Sequence, residues 1–299
     1  PAVNTSTSAA LTIQGDCENG IPVGLSGDIS PVSVTCNLAR YTANVILSGA
    51  DGSKVVTVTQ TDSAGNPGSA SRTFIKDNVA PVLTITSPAA NSYHKSSVLV
   101  TGTCEKAIST ISITGDRQSP SSTTCDSVAG TFSVTVVFTT GDGAKNLIFS
   151  QTSIGGNTGS ASRQFFRDTG DPVVTISGPA AGTTGSGSLT VTGSCENGFP
   201  VIFSGDVVAS SATCSSGTYS SQVSFSQGEG AKNITATQTH LAGNSSSASR
   251  SFNNDTQAPA LAINSPAAGT VSQGPLTINV SCEVGLVVAV TGNINAMAP

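Results

Sequence analysis

Residues 81–90 read Pro81-Val82-Leu83-Thr84-Ile85-Thr86-Ser87-Pro88-Ala89-Ala90. Apolar and polar side chains alternate over 82–86, the period of a strand with one wet face. Ser87-Pro88 then stops it, because proline has no N–H to give a ladder. The same words return as Pro172-Val173-Val174-Thr175-Ile176-Ser177-Gly178-Pro179 and as Pro259-Ala260-Leu261-Ala262-Ile263-Asn264-Ser265-Pro266. A segment that recurs at such an interval marks a tandem array, and the period has to be fixed before any single element.

The cysteines keep the same phase. Cys17, Cys104, Cys195 and Cys282 are separated by 87, 91 and 87 residues, and each is followed by glutamate: Glu18, Glu105, Glu196 and Glu283. The first three have a second cysteine 19 to 21 residues on, at Cys36, Cys125 and Cys214. Gly-Asp recurs at Gly27-Asp28, Gly115-Asp116 and Gly205-Asp206, and Ser-Ala-Ser-Arg closes the copies at Arg72, Arg163 and Arg250. The phase places copies at 1–78, 79–169, 170–256 and 257–299. The first lacks most of its opening strand, and the last, expected to hold three strands, stops before a partner for Cys282. Either the sequence is a piece of a longer array, or the incomplete ends pair between molecules and Cys282 finds its partner in trans.

Within the second copy, alternation and turn residues predict strands at 82–86, 97–104, 108–114, 123–125, 131–138, 145–152 and 161–167. Gly141-Asp142-Gly143 and Gly155-Gly156-Asn157 supply turns that need positive φ. Seven short strands in about 90 residues predict an all-β chain of immunoglobulin-like antiparallel sandwiches, arranged in tandem as an elongated rod. With aromatics at only 4% the core is thin. A disulfide closing a loop of about 20 residues would add about 3 kcal/mol. Cys17 with Cys36, Cys104 with Cys125 and Cys195 with Cys214 fit that role, since both members of each pair finish at the leading end of a copy. Cysteines so spaced, with no histidine nearby, do not make a metal quartet.

Composition excludes much else. Ser and Thr number 84, only 10% of residues are charged, and the net charge is −5. Nothing basic is gathered to neutralise phosphates, so no nucleic-acid partner is expected. No apolar run approaches the ~18 residues of a membrane span, and any secretion signal is expected outside this sequence. His94 falls in a turn and His240 between two late strands, without counterparts in the other copies, so both are expected as isolated surface groups. No catalytic motif is present, no catalytic residue is assigned, and the chain is not expected to be an enzyme.

The linkers Asp77-Asn78-Val79-Ala80-Pro81, Asp168-Thr169-Gly170-Asp171-Pro172 and Asp255-Thr256-Gln257-Ala258-Pro259, with the Asp62-Ser63-Ala64-Gly65-Asn66 element, resemble the bacterial immunoglobulin-like (Big) domains found in tandem in large surface adhesins. That resemblance implies an extracellular stalk whose partners are other repeats of the same protein and, through regions outside this chain, a host or prey surface receptor. The short-loop disulfides depart from the commoner cysteine-free members and suggest export through an oxidising compartment. Calcium between domains is the cofactor the resemblance adds. Its candidate ligands are Asp28, Asp51 and Asp77 facing Glu105 and the Asn157 region; Asp116, Asp142 and Asp168 facing Glu196; and Asp206, Glu229 and Asp255 facing Glu283, since Ca²⁺ wants six to eight oxygens. The competing account is that these acids cap turns. Gln60, Gln151 and Gln238 are expected to be buried and bonded to backbone. Lys54, Lys145 and Lys232 are expected as exposed turn lysines rather than isopeptide donors. Asn4, Asn233, Asn244 and Asn279 open N-x-Ser/Thr sequons of little weight. The expected function is a structural spacer; a carbohydrate- or protein-binding module using the sandwich-end loops, or a filament subunit joined through its ends, are the alternatives.

Overall fold

In the computed structural model residues 6–7 and 10–293 are described, and Asn4 lies outside them. Every helix or strand among them is a strand. The chain divides into two compact units, Pro1–Asp171 with His240–Asn244, and Pro172–Thr239 with Ser245–Pro299.

The second copy, in the first unit, shows the plan. One sheet runs in the order Arg117–Ser119, Thr131–Phe138, Ser97–Thr103, Thr84–Ser87. The other runs Ser122–Thr124, Thr110–Gly115, Gly143–Thr152, Thr158–Arg167, Tyr93–His94. Alternation decides which side chains face in: Val98, Val100, Phe132, Val136 and Phe138 of one sheet meet Ile111, Ile113, Leu147, Phe149 and Phe165 of the other. Phe132 stacks on Phe149 across the sandwich with centroids 5.4 Å apart. Each such aromatic, buried fully, contributes about 1.5–3 kcal/mol. The chain is all-β, built of immunoglobulin-like antiparallel sandwiches.

Two local features differ from the sequence reading. The opening segment splits: Thr84–Ser87 joins the first sheet, and the expected turn at His94 is instead a parallel pairing of Tyr93–His94 with Phe166–Arg167 in the second. His94 is half-buried against the Phe138 and Phe165 rings and bonded to Ser92 Oγ (2.9 Å), and burial lowers its pKa. The segment after Gly115 also divides, Arg117–Ser119 pairing in one sheet before Ser122–Thr124 returns beside Thr110–Gly115 in the other. Each Cys pair therefore ties the two sheets together. Cys104 follows a strand of the first sheet and Cys125 a strand of the second, and Cys17–Cys36, Cys104–Cys125 and Cys195–Cys214 are all bonded.

One close approach fixes the opening strand. A Cβ on Gly102 would collide with Thr84 O and the Phe132 ring, and one on Gly193 with Thr175 O and the Tyr219 ring. Glycine lets the first strand lie directly over the aromatic beneath it. Tyr219 completes the contact by donating to Thr175 O (2.7 Å), and burial pushes its pKa up to about 12.

The first copy repeats the five-stranded sheet as Ser6–Thr7, Pro67–Lys76, Gly52–Thr61, Pro22–Gly27, Val32–Thr35. Its second sheet is only Leu11–Asp16 with Arg40–Val45 among the described residues. The third copy, in the second unit, carries Thr184–Gly185, Ser245–Asn254, Gly230–Thr239, Pro200–Gly205, Ser210–Thr213, and opposite them Ser188–Ser194 with Thr218–Ser224. Of the three strands expected in the last segment, only Ala262–Ser265 and Asn279–Ser281 form among the described residues. Among the described residues no opposing sheet covers them, and Leu286 and Val287 are exposed.

Candidate functional site

The first unit contains the linker Asp77-Asn78-Val79-Ala80-Pro81 and both sandwiches it joins, and this junction is where the sequence-predicted ligands can be located. The linker is held from both directions. From the preceding copy, Asp51 accepts hydrogen bonds from Asn78 N and Asn78 Nδ2, both 2.9 Å. From the following copy, Asn157 Nδ2 donates to Asp77 O at 2.7 Å. Asp77 Oδ1 meanwhile accepts from Val79 N (3.1 Å), an Asx-type turn that sets the exit direction. Gly155 sits so close that a Cβ there would meet Asp77 Oδ2 at 2.6 Å.

The other linkers use the same chemistry. Asp142 accepts from Thr169 N (3.0 Å) and Arg167 Nη1 (2.7 Å), and Glu229 accepts from Thr256 N (2.9 Å) and Thr256 Oγ1. Asp168 Oδ1 accepts from Gly170 N and Asp255 Oδ1 from Gln257 N, each at 3.1 Å. Within the first unit, Asn244 Nδ2 donates to Asp168 O at 2.7 Å, as Asn157 does to Asp77 O.

A different task falls to Asp28, Asp116 and Asp206. Each accepts a backbone N–H from the neighbouring strand, Val55 (2.7 Å), Asn146 (2.8 Å) or Asn233 (2.9 Å), while its own amide donates to a carbonyl of that strand. The preceding Gly27, Gly115 and Gly205 have φ of 104°, 92° and 98°, and a Cβ on any of them would strike that same carbonyl. The Gly-Asp motif is therefore a strand clamp.

Within the first unit the expected calcium ligands have separate partners. Of the first set, Asp77 and Glu105 line one cleft of about 330 Å³ with Ile75, Val79, Ile108 and Ile154, while Asp28 and Asp51 are engaged elsewhere. Among the described residues no three His, Cys, Asp or Glu side chains converge. Asp28, Asp51, Asp77, Asp116, Asp142, Asp168, Asp206, Glu229 and Asp255 each accept from a backbone amide. Glu18, Glu105, Glu196 and Glu283 are exposed. What recurs at Glu18, Glu105 and Glu196 is the use of their backbone: Gln238 Oε1 accepts from Glu196 N (2.9 Å), and its Nε2 donates to Glu196 O (2.7 Å) and Phe199 O (2.9 Å). Gln151 holds Glu105 and Ile108, and Gln60 holds Glu18 and Ile21, in the same way.

Two further readings are corrected. Lys145 and Lys232 are buried rather than exposed: their stems lie along the sandwich end while Nζ reaches Thr139 Oγ1 and Thr140 O, or Gln227 O. His240 is half-buried, its Nδ1 3.2 Å from Asp168 Oδ2, because the turn that carries Asn244 also carries it.

Two expected results follow from these contacts. Asn157→Ala removes the bond to Asp77 O at a cost of about 1 kcal/mol, and limited proteolysis across residues 77–81 should quicken several-fold while the two cores stay folded. The Thr169 amide and then its hydroxyl hold the Asp142 carboxyl below its ordinary 3.8, and the Thr256 hydroxyl and amide hold Glu229 below 4.5. A lowered folded-state pKa favours the ionised form, so this stabilisation is present above those ordinary values and is lost as pH falls through the lower, folded-state ones. Amide shifts of Thr169 and Thr256, followed by NMR, should titrate with midpoints below 3.8 and 4.5.

Neither a protein-family model nor a curated protein matches the sequence. Similar solved structures include a Ca²⁺-stabilised adhesin that helps an Antarctic bacterium reach out and bind ice (18% identity, TM-score 0.39, covering 87% of this chain and 74% of that one). A tetra-tandem repeat from the extending region of a large adhesion protein is 20% identical, with a TM-score of 0.31 over 88% of this chain and 75% of that one. The fibronectin(III)-like modules of Clostridium thermocellum CbhA are 16% identical, with a TM-score of 0.36 over 56% and 89%. The neighbours are thus adhesin repeats and immunoglobulin- or fibronectin-type modules.

Proposed function

We propose that the chain is a spacer segment of an adhesin-like protein displayed on or released from a bacterial surface, its copies strung to give reach while binding is done elsewhere in the parent. The observation that carries this reading is the two-sided grip on Asp77-Asn78, by Asp51 behind and Asn157 ahead. A linker held this way limits swivelling between the copies it joins, which is what a stalk needs and a flexible tether does not. Three short-loop disulfides favour a route through an oxidising compartment.

Small-angle scattering of the whole chain tests the proposal. Sandwiches roughly 35 Å long placed end to end give a maximum dimension above roughly 100 Å. A compact particle, or saturable binding of any glycan on an array, would overturn it. In this reading the carboxylates serve backbone amides, so adding Ca²⁺ should release no heat in calorimetry and EDTA should leave the melting curve in place. A melting temperature lowered by EDTA would restore the ion as a structural part.

A further inference from the structure

We propose that His94 makes the parallel pairing near the start of the second copy a proton-operated catch, closed near neutral pH and released in acid, while the matching pairings of the first and third copies do not respond. The inference is separate from the spacer reading and stands or falls without it.

The catch is small. Tyr93–His94 lies parallel to Phe166–Arg167, with His94 in register with Arg167. Phe166 N donates to Ser92 O (2.9 Å) and Asp168 N to His94 O (3.0 Å), and the exposed Tyr93 ring stacks on Phe166 with centroids 5.0 Å apart. The His94 ring turns the other way, toward the buried Phe165 (5.8 Å) and Phe138 (6.4 Å). The same place in the register holds Thr7 in the first copy, opposite Lys76, and Gly185 in the third, opposite Asn254. The backbone bond is kept in both: Asp77 N donates to Thr7 O (3.2 Å) and Asp255 N to Gly185 O (3.1 Å). Three equivalent pairings thus differ in one respect, a side chain of the type that changes charge between pH 5 and 8.

The surroundings suit imidazole and not imidazolium. Ser92 Oγ lies 2.9 Å from His94 Nε2 and 2.8 Å from Ala89 O, and its single proton goes to the carbonyl, which can only accept. Nε2 therefore carries the proton of the neutral ring, and a second proton would sit on Nδ1. Among the described residues the ring's hydrogen bond is the one through Nε2, so Nδ1 has no acceptor waiting. The charges around it do not compensate. Arg167 is opposite on the paired strand, Lys95 is next in the chain, Lys145 is buried across the ladder from Phe165, and Arg117 pairs beside Phe138. The acids on these elements are engaged: Asp142 by Arg167 and Thr169, Asp168 by Gly170 N and His240 Nδ1, and Asp116 by Asn146 N. Burial accordingly lowers the His94 pKa from 6.5. With a lowered folded-state value, the pairing is at full strength above 6.5 and loses stability as pH falls from there through the folded-state value. Lifting Tyr93–His94 hydrates the ring and breaks the bonds to Ser92 O and His94 O, a local opening that leaves the core in place.

Amide hydrogen exchange of the whole chain, followed by NMR from about pH 7.5 to about pH 5.5, tests this. The Asp168 amide should lose protection several-fold relative to the Asp77 and Asp255 amides, which report the same bond in the other copies. The His94 ring protons should titrate below 6.5. His94→Gln keeps a donor toward Ser92 without a titrating ring and should hold Asp168 protection level with the two references. His240→Gln removes the other of the chain's 2 histidines and should leave the loss as it is. Asp168 protection that tracks Asp77 and Asp255 throughout overturns the proposal, as does a loss that survives His94→Gln or disappears with His240→Gln, or a His94 ring that titrates at or above 6.5. Should His94→Gln not fold, the comparison of the three amides in the unaltered chain and the ring titration still decide.

Discussion

Replacing both Cys195 and Cys214 by serine is expected to lower the stability of the third sandwich by about 3 kcal/mol. The loop closed by this bond spans 19 residues, and freeing it restores that much chain entropy to the unfolded state. The bond also joins strands of opposite sheets: Cys195 follows Ser188–Ser194, and Cys214 follows Ser210–Thr213. For a sandwich of this size that corresponds to a melting transition lower by about 10–20 °C. Calorimetry of the whole chain should show one transition moving by that amount while those of the other copies stay in place. A shift of only a few degrees would mean the core of Phe203, Tyr219, Phe225 and Phe252 is sufficient without the bond.

The second large effect is expected at Gln238. Its side chain is fully buried and satisfies three backbone groups, Glu196 N, Glu196 O and Phe199 O. Gln238→Met keeps the volume and strands all three, each at about 1–3 kcal/mol, for an expected loss of at least about 3 kcal/mol in urea unfolding. Gln60→Met is the internal comparison. Gln60 makes the same three bonds but is only half-buried, so water can replace part of what is lost and the cost should be clearly smaller. Equal losses at the two positions would show that burial is not what sets the cost.

How much of this could be read without coordinates depends on whether a residue's task repeats and is local. Sandwich class was legible because alternation at 82–86 or 131–138 recurs in phase, and alternation is what a half-wet sheet requires. The split of the opening strand was not. Two residues such as Tyr93–His94 are too few to carry a period, and no pattern in one strand says which sheet it joins. The amide contacts of the carboxylates were hidden for a different reason. A set of repeated acids looks the same in sequence whichever amides it holds, and only the fold shows which amides those are. One signal was available: Asp51 to Asn78, Asp142 to Thr169 and Glu229 to Thr256 all span 27 residues, a constancy that belongs to a fixed pair of contacts. Lys145 was placed on the surface because charge is a statement about the side-chain tip, while its burial is decided by the stem.

The parallel pairing near the entrance of the first three copies bears on how tension would be carried. Ser6–Thr7 lies beside Ile75–Lys76, Tyr93–His94 beside Phe166–Arg167, and Thr184–Gly185 beside Asn253–Asn254. Tension that reaches such a pair from the two ends of its copy therefore loads the paired strands in opposite directions along their length. Their hydrogen bonds are sheared together instead of being unzipped one by one. Should that patch yield, the residues between the cysteines still could not pay out, and the tether would lengthen by less than its full contour.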